Sequence, residues 1–414
     1  MPVAPAAADA GQRLLSLDLI RGIAVLGILA INIAGFAGPS IGTVSPALTA
    51  HDSLPDRAAF AFGLLFFEGK MRGLFTLLFG AGLVLFWERM EADGRDGDVL
   101  QLRRLAWLMA IGALHYVLLW WGDILFVYAL CGLVALLLRP LSDRWLLVIA
   151  LLLFTVWHLW GLLDIAPLVQ AEHAVRAGTA TLAERDMVSG WLAPVSAWAT
   201  QEMSESRLGF LQLALIKLSQ RPFWQLDMVS GVFSETVPMM LIGMVMYRRG
   251  FFDGRVARAR LMRLGVAATG AGLTLTALFL AWAWPRGLPP IAMEAAISWG
   301  LAVPHLLCSV GYAALLVLAT PRLAQSGLGA RLIAAGRTAF SNYIGTSIVM
   351  TAVFYGWGLG LYGRFGSLAQ WAFVLVGWTL MLGWSAPWLR RFRRGPLEWL
   401  WRNLIERKVL PNRI

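Results

Sequence analysis

The chain has 414 residues, of which 58% are hydrophobic and 14% charged, with a mean hydropathy of +0.67. A soluble protein of this size cannot hide that much apolar surface, so the composition excludes a set of ordinary globular domains. The net charge of +11 does not point to nucleic acid, because the basic residues fall between apolar runs and no aromatic-basic pattern of a nucleic-acid binder is present.

The Ala-rich start reads as a disordered tail over residues 1–16. Arg13 ahead of an apolar run superficially resembles a signal peptide. Asp18 is unusual in such a segment and no small-residue cleavage site follows, so the reading is an uncleaved first helix. Ten apolar stretches of near-spanning length follow: Ile20 to Phe36, Met71 to Trp87, Leu105 to Trp121, Ile124 to Leu138, Trp145 to Leu163, Val232 to Tyr247, Val266 to Trp284, Ala295 to Ala319, Thr338 to Gly356 and Leu368 to Trp388. Ala58 to Phe67 is a short apolar piece, either interfacial or leading into the second helix. Arg207 to Arg221 is amphipathic, either interfacial or a partial span.

The expected fold is therefore all-α: a polytopic bundle of about ten spanning helices, residues 17–400, with an outer loop at about 164–206 and a cytoplasmic tail at 401–414. Placing the N-terminus inside puts 24 of the 35 basic residues on inner segments and 10 on outer ones, which favours both termini in the cytoplasm. The expected location is the bacterial inner membrane, with the lipid bilayer as the first partner. Oligomeric state is not readable. Cys131 and Cys308 each lie inside an apolar run and read as buried, unpaired thiols. No metal-ligand spacing occurs.

Ionisable groups in a spanning helix cost about 2.5–3.5 kcal/mol each on insertion scales, so they mark cavities or partners. Asp18, Arg21 and Asn32 fall on one face of the first helix. Glu68, Lys70 and Arg72 precede the second. His115 lies in the third, and Asp123 is at the short turn that makes the third and fourth antiparallel neighbours. His115 and Asp123 can then meet each other, or meet Lys70 or Arg72. A His held by a carboxylate is what a general base requires. Arg21 and Arg337 are candidates for a basic inner mouth that holds phosphate, with Asn342 nearby. The plainer reading of these groups is packing, salt-bridging and positive-inside anchoring. Glu235, His305, His51, His158 and His173 carry less signal. No Walker A loop, nucleophile elbow or dinucleotide fingerprint occurs.

The motifs "LDLIRGIAVLGILAINIAGF", "EGKMRGLFTLLFGAG", "LHYVLLWWGDILFVYALCGL", "GRTAFSNY" and "GPLEWLWR", in order over nearly the whole chain, resemble the YeiB-like family of bacterial inner-membrane proteins, a domain-of-unknown-function family. More distantly, Asp18, Arg21, Gly22 and Asn32 are similar to the opening helix of heparan-α-glucosaminide N-acetyltransferase and of the membrane acyltransferase-3 family. That resemblance covers one helix. It implies a bundle with an acyl-donor channel, cytoplasmic acyl-CoA as donor, no permanently bound cofactor, and a glycan or lipid acceptor across the membrane. The acyltransferase-3 pattern has a His where this chain has Asn32, which cannot act as a base. His115 is the substitute inferred here, with Asp123 orienting it and Asn32 donating to the oxyanion. A transporter for a small solute is the alternative, with the same charges lining its path. A scaffold without small-molecule chemistry is a third reading.

Overall fold

A computed structural model describes residues 15–414; the expected tail up to residue 14, Arg13 included, lies outside the described residues. The described residues form sixteen α-helices joined by short 3-10 and π turns. They are α1 (Leu15–Ala37), α2 (Leu54–Phe66), α3 (Lys70–Ala92), α4 (Gly97–Leu118), α5 (Leu125–Leu138), α6 (Asp143–Ala177), α7 (Leu182–Glu205) and α8 (Phe210–Gln220). After these come α9 (Trp224–Arg248), α10 (Arg258–Ala283), α11 (Pro290–Ala295), α12 (Ala302–Leu323), α13 (Gly327–Arg337), α14 (Ala339–Phe354), α15 (Ser367–Leu389) and α16 (Pro396–Glu406).

Every one of the ten apolar stretches lands on a helix. Among the described residues, seven helical segments are long and apolar enough to cross a membrane, and α5 and α14 are apolar but shorter. The Ala58 to Phe67 stretch belongs to α2, which runs through a bend at 67–69 into α3 as one candidate span, Leu54–Ala92. The amphipathic Arg207 to Arg221 segment is α8. The expected outer loop is helical: α6 continues past Leu163 to Ala177, and α7 follows from a Thr181–Glu184 capping box. At 1.5 Å per residue α6 is roughly 50 Å long, well beyond a hydrocarbon core of about 30 Å.

The segments expected inside interlock at one end of the bundle, here the basic end. Arg95 pairs with Glu406, Arg139 with Asp98 at 2.8 Å, and Arg248 and Arg249 with Asp143. The segments expected outside interlock at the opposite end. There Ser40 holds Glu202, Gly363 N donates to Ala37 O, and Glu172 accepts from the amides of Ile291 and Ala292. Helix α1 runs between the two ends and is buried along most of its length. It packs directly on α13, where a Cβ on Gly22 would strike the Leu332 carbonyl and one on Gly336 the Asp18 carbonyl. Only glycine permits that approach. Cys131 and Cys308 are buried and free.

Candidate functional site

The α4–α5 hairpin carries the principal site. Helix α5 has 14 residues, about 21 Å, so a hairpin anchored at the basic end turns around inside the bundle and leaves Gly122 and Asp123 buried. His115 Nδ1 lies 2.9 Å from Asp123 Oδ1, and both side chains are shielded almost completely. The other carboxylate oxygen accepts from Phe126 N at 2.8 Å and Gln225 Nε2 at 3.0 Å. The Tyr343 ring lies 5.2 Å from the imidazole, and its hydroxyl accepts from Ile124 N at 3.2 Å. A carboxylate that accepts at Nδ1 fixes the neutral tautomer with its lone pair on Nε2. Among the described residues, His115 Nε2 is buried with no hydrogen-bond partner.

One cavity lies behind Tyr343 and another along the hairpin itself. Asn32, Phe36 and Tyr343 line a small one of about 220 Å³ between α1, α14 and α15. Asn32 thus shares a cavity with Tyr343, the ring that lies beside His115. A larger cavity of about 530 Å³ has Tyr116, Leu119 and Trp121 of the hairpin along one wall and α7, α8 and the start of α9 along the other. Lys217 Nζ donates across it to the carbonyls of Tyr116 (2.9 Å) and Leu119 (3.3 Å). Burial, reinforced by the Arg221 charge, lowers the Lys217 amine to about 7.

The remaining sequence candidates separate into three places. Lys70 and Arg72 do not reach His115 or Asp123. Lys70 is fully buried and donates to the Leu64 carbonyl at 2.8 Å, and Arg72 pairs with Glu235 at 2.9 Å. Gly69, at φ 69°, leaves no room for a Cβ beside the His305 ring. Glu235 Oε1 and His305 Nε2 are buried without hydrogen-bond partners among the described residues. Glu68 lines a lateral cavity of about 480 Å³ between α1, α2 and α15.

At the basic end, Arg21 lies 3.4 Å from Asp18. The guanidinium groups of Arg21 and Arg104 flank Gly82, and Arg402 acts electrostatically on Arg104 as well. Arg104 also stacks over Phe86 and Trp401, both at 5.2 Å. Arg337, at the end of α13, which packs on α1, donates to the Arg393 carbonyl at 3.3 Å.

Asn342 is saturated. Its amide nitrogen donates to Ala335 O, Thr338 Oγ1 and Ser385 Oγ at 3.1–3.2 Å, and its oxygen accepts from Trp384 Nε1 at 2.8 Å. In the same motif, Glu398 of α16 accepts from the amides of Phe340 and Ser341 and from the Ser341 hydroxyl. Burial raises the Glu398 carboxyl against those bonds.

Sequence reasoning missed Gln225, Tyr343, Arg104, Arg402 and the cavity-lining part of α7 and α8. Trp191 and Trp198 in the expected loop, Trp224 beyond it, and the Thr181-x-x-Glu184 cap were the available signals.

Comparison with known proteins places the whole chain. The family described as a protein of unknown function, DUF418, matches residues 246–408. The uncharacterized protein YeiB of Escherichia coli (strain K12) is 30% identical, over 97% of this chain and 98% of that one. The uncharacterized protein YxaH of Bacillus subtilis (strain 168) is 29% identical, over 95% of this chain and 94% of that one. No solved structure matches. Seven candidate spans together with these full-length bacterial relatives make it a multi-pass membrane protein. It belongs to the YeiB-like family, whose function is unknown.

Proposed function

We propose that the protein is a transmembrane acyltransferase of the bacterial inner membrane, with its basic end in the cytoplasm and His115 as general base. The observation that carries this reading is the His115–Asp123 pair: a buried imidazole with one nitrogen held at 2.9 Å by a carboxylate and the other without a partner. A structural histidine in so dry a place uses both nitrogens. Arg21, Arg104 and Arg402 form a cationic mouth whose donors fit the phosphates of an acyl-CoA substrate. His115 Nε2 takes the proton of an acceptor hydroxyl or amine as that atom bonds to the acyl carbonyl. The carbon–sulfur bond of the donor breaks and the coenzyme thiol leaves. Asn32, in the small cavity beside Tyr343, supplies an amide donor for the oxyanion.

The test is thiol release from a panel of acyl-CoAs by the purified protein in nanodiscs, with His115→Gln alongside. Turnover by the native chain and a loss of about 10²–10⁴-fold in the variant are expected. A folded native chain that releases no thiol from any donor overturns the proposal.

A second reading draws on Arg72, Glu235 and His305, whose unpartnered buried atoms suit a proton or ion path in a carrier. Solute uptake into proteoliposomes that persists in His115→Gln and fails in Glu235→Gln favours it. Uptake that depends on His115, or none, removes it.

A further inference from the structure

Asp123 Oδ2, the carboxylate oxygen turned away from His115, sits in a socket built from three helices. Phe126 N of α5 donates to it at 2.8 Å and Gln225 Nε2 of α9 at 3.0 Å. From α4, a Cβ at Gly112 would lie 2.8 Å from the same oxygen, so glycine leaves the room it needs against the helix backbone. Gln225 is itself buried and gives its second amide hydrogen to the Gly112 carbonyl at 3.1 Å. That fixes the way the carboxamide faces. Turned over, its oxygen would meet Gly112 O and Asp123 Oδ2, which are both acceptors.

The two donors to Oδ2 differ in origin. Phe126 N is three residues on from Asp123, a bond local to the turn. Gln225 lies 102 positions away and is the one side-chain donor to Oδ2 among the described residues. The turn has a separate clamp on its backbone, because the Tyr343 hydroxyl accepts from Ile124 N at 3.2 Å and donates to Gly122 O at 3.4 Å. Tyr343 thus holds the chain on either side of Asp123, and Gln225 holds the carboxylate.

That division has a chemical consequence. Amide nitrogens only donate, so a hydrogen on Oδ2 would point at two N–H groups and neither bond would survive. Oδ2 is kept as an acceptor, and Oδ1 is the acceptor presented to His115 Nδ1. Without Gln225, Oδ2 keeps one donor, and the carboxyl can turn about its Cβ–Cγ bond and offer Nδ1 a hydroxyl. The ring then carries its hydrogen on Nε2.

We infer that Gln225 is a positioning residue for the proposed base: it locks the Asp123 carboxylate so that His115 keeps its hydrogen on Nδ1 and its lone pair on Nε2. The part this plays in acyl transfer rests on the transferase reading. The hold on the tautomer does not.

The experiment is nitrogen NMR of the full chain in nanodiscs with isotope-labelled histidine, the His115 signals being assigned by their loss in His115→Gln. The native chain is expected to show a protonated Nδ1 and a bare Nε2. Gln225→Met keeps the side-chain length and removes both donors, and is expected to move the hydrogen to Nε2. Gln225→Asn, polar but one methylene short of Oδ2, is expected to shift it in the same direction. Trp224→Phe is the control. It cuts another tie from α9 to the hairpin, Trp224 Nε1 to Trp121 O at 3.1 Å, and is expected to leave the tautomer alone. In thiol release, Gln225→Met is expected to lower kcat about 10–100-fold at an unchanged KM for acyl-CoA. A native tautomer in folded Gln225→Met or Gln225→Asn overturns the inference, as does an equal shift in Trp224→Phe. A shifted tautomer in a protein whose native chain releases no thiol from any donor upholds the role of Gln225 and overturns only the transfer.

Discussion

Asn342 and His115 are both buried polar side chains on apolar helices, and both stand in motifs that the sequence singles out, yet they are opposites in their surroundings. Asn342 spends its donors on three acceptors and its oxygen on Trp384. His115 spends one nitrogen on Asp123 and none on the other. In a membrane the polarity of a residue is a weak guide, because a packing amide and a catalytic base both have to be buried among partners. The unused atom separates them. A saturated network holds helices α14 and α15 together; an unsaturated one has capacity left for a substrate proton.

The sharpest break in this comparison is Asp123→Asn. Asp123 Oδ2 accepts from Phe126 N and Gln225 Nε2, so an Asn there keeps its oxygen on those two donors and turns its NH₂ toward His115. That makes Nδ1 the acceptor and moves the ring proton to Nε2, where a base needs its lone pair. Thiol release is expected to fall about 10²–10⁴-fold while the melting temperature in detergent changes little. Equal turnover in Asp123→Asn and the native chain returns the dyad to the same class as Asn342.

The complementary break is Asn342→Ala. It leaves the half-buried Trp384 indole without its acceptor and removes one donor from the buried Thr338 and Ser385 hydroxyls, which keep their bond to each other. A loss of about 1–3 kcal/mol in stability is expected, with thiol release per folded molecule unchanged. Thermal unfolding by intrinsic fluorescence measures the first and the acyl-CoA assay the second. A catalytic loss without a stability loss would place Asn342 with His115.

The helices were legible because apolar length is a local property. All ten stretches lie on helices, and the short turn between His115 and Asp123 brings two residues eight positions apart into contact. Partners far apart in sequence were not legible. Glu235 meets Arg72 across 163 positions, and Tyr343 meets Ile124 across 219, and no periodicity carries such pairings. Arg104, on α4, was not legible beside Arg21 for the same reason, although Arg21 and Arg337 both lie near the α1–α13 contact. The cavity escaped because α7 lacks a long apolar run and so reads as part of an outer loop, while α8 reads only as an interfacial piece or a partial span.

Lys217 gives the smallest expected effect and extends the comparison to a charge. Like Asn342 its donors are used, on the carbonyls of Tyr116 and Leu119, yet its amine is brought down to about 7. Burial lowers the amine from 10.5 to about 7, with the Arg221 charge adding to the effect and the Glu205 charge opposing it. The folded-state value is below the unfolded one. Between about pH 7 and 10.5 the unfolded chain therefore holds a proton that the folded chain has released, so stability rises with pH across that window. Below pH 7 both states are protonated and the penalty is constant. Lys217→Met removes the titration while keeping an unbranched side chain. The melting temperature of the native chain is expected to climb more steeply from pH 7 to 10 than that of Lys217→Met. Parallel curves would mean that the amine stays charged in the fold, held as firmly by its two carbonyls as Asn342 is by its neighbours.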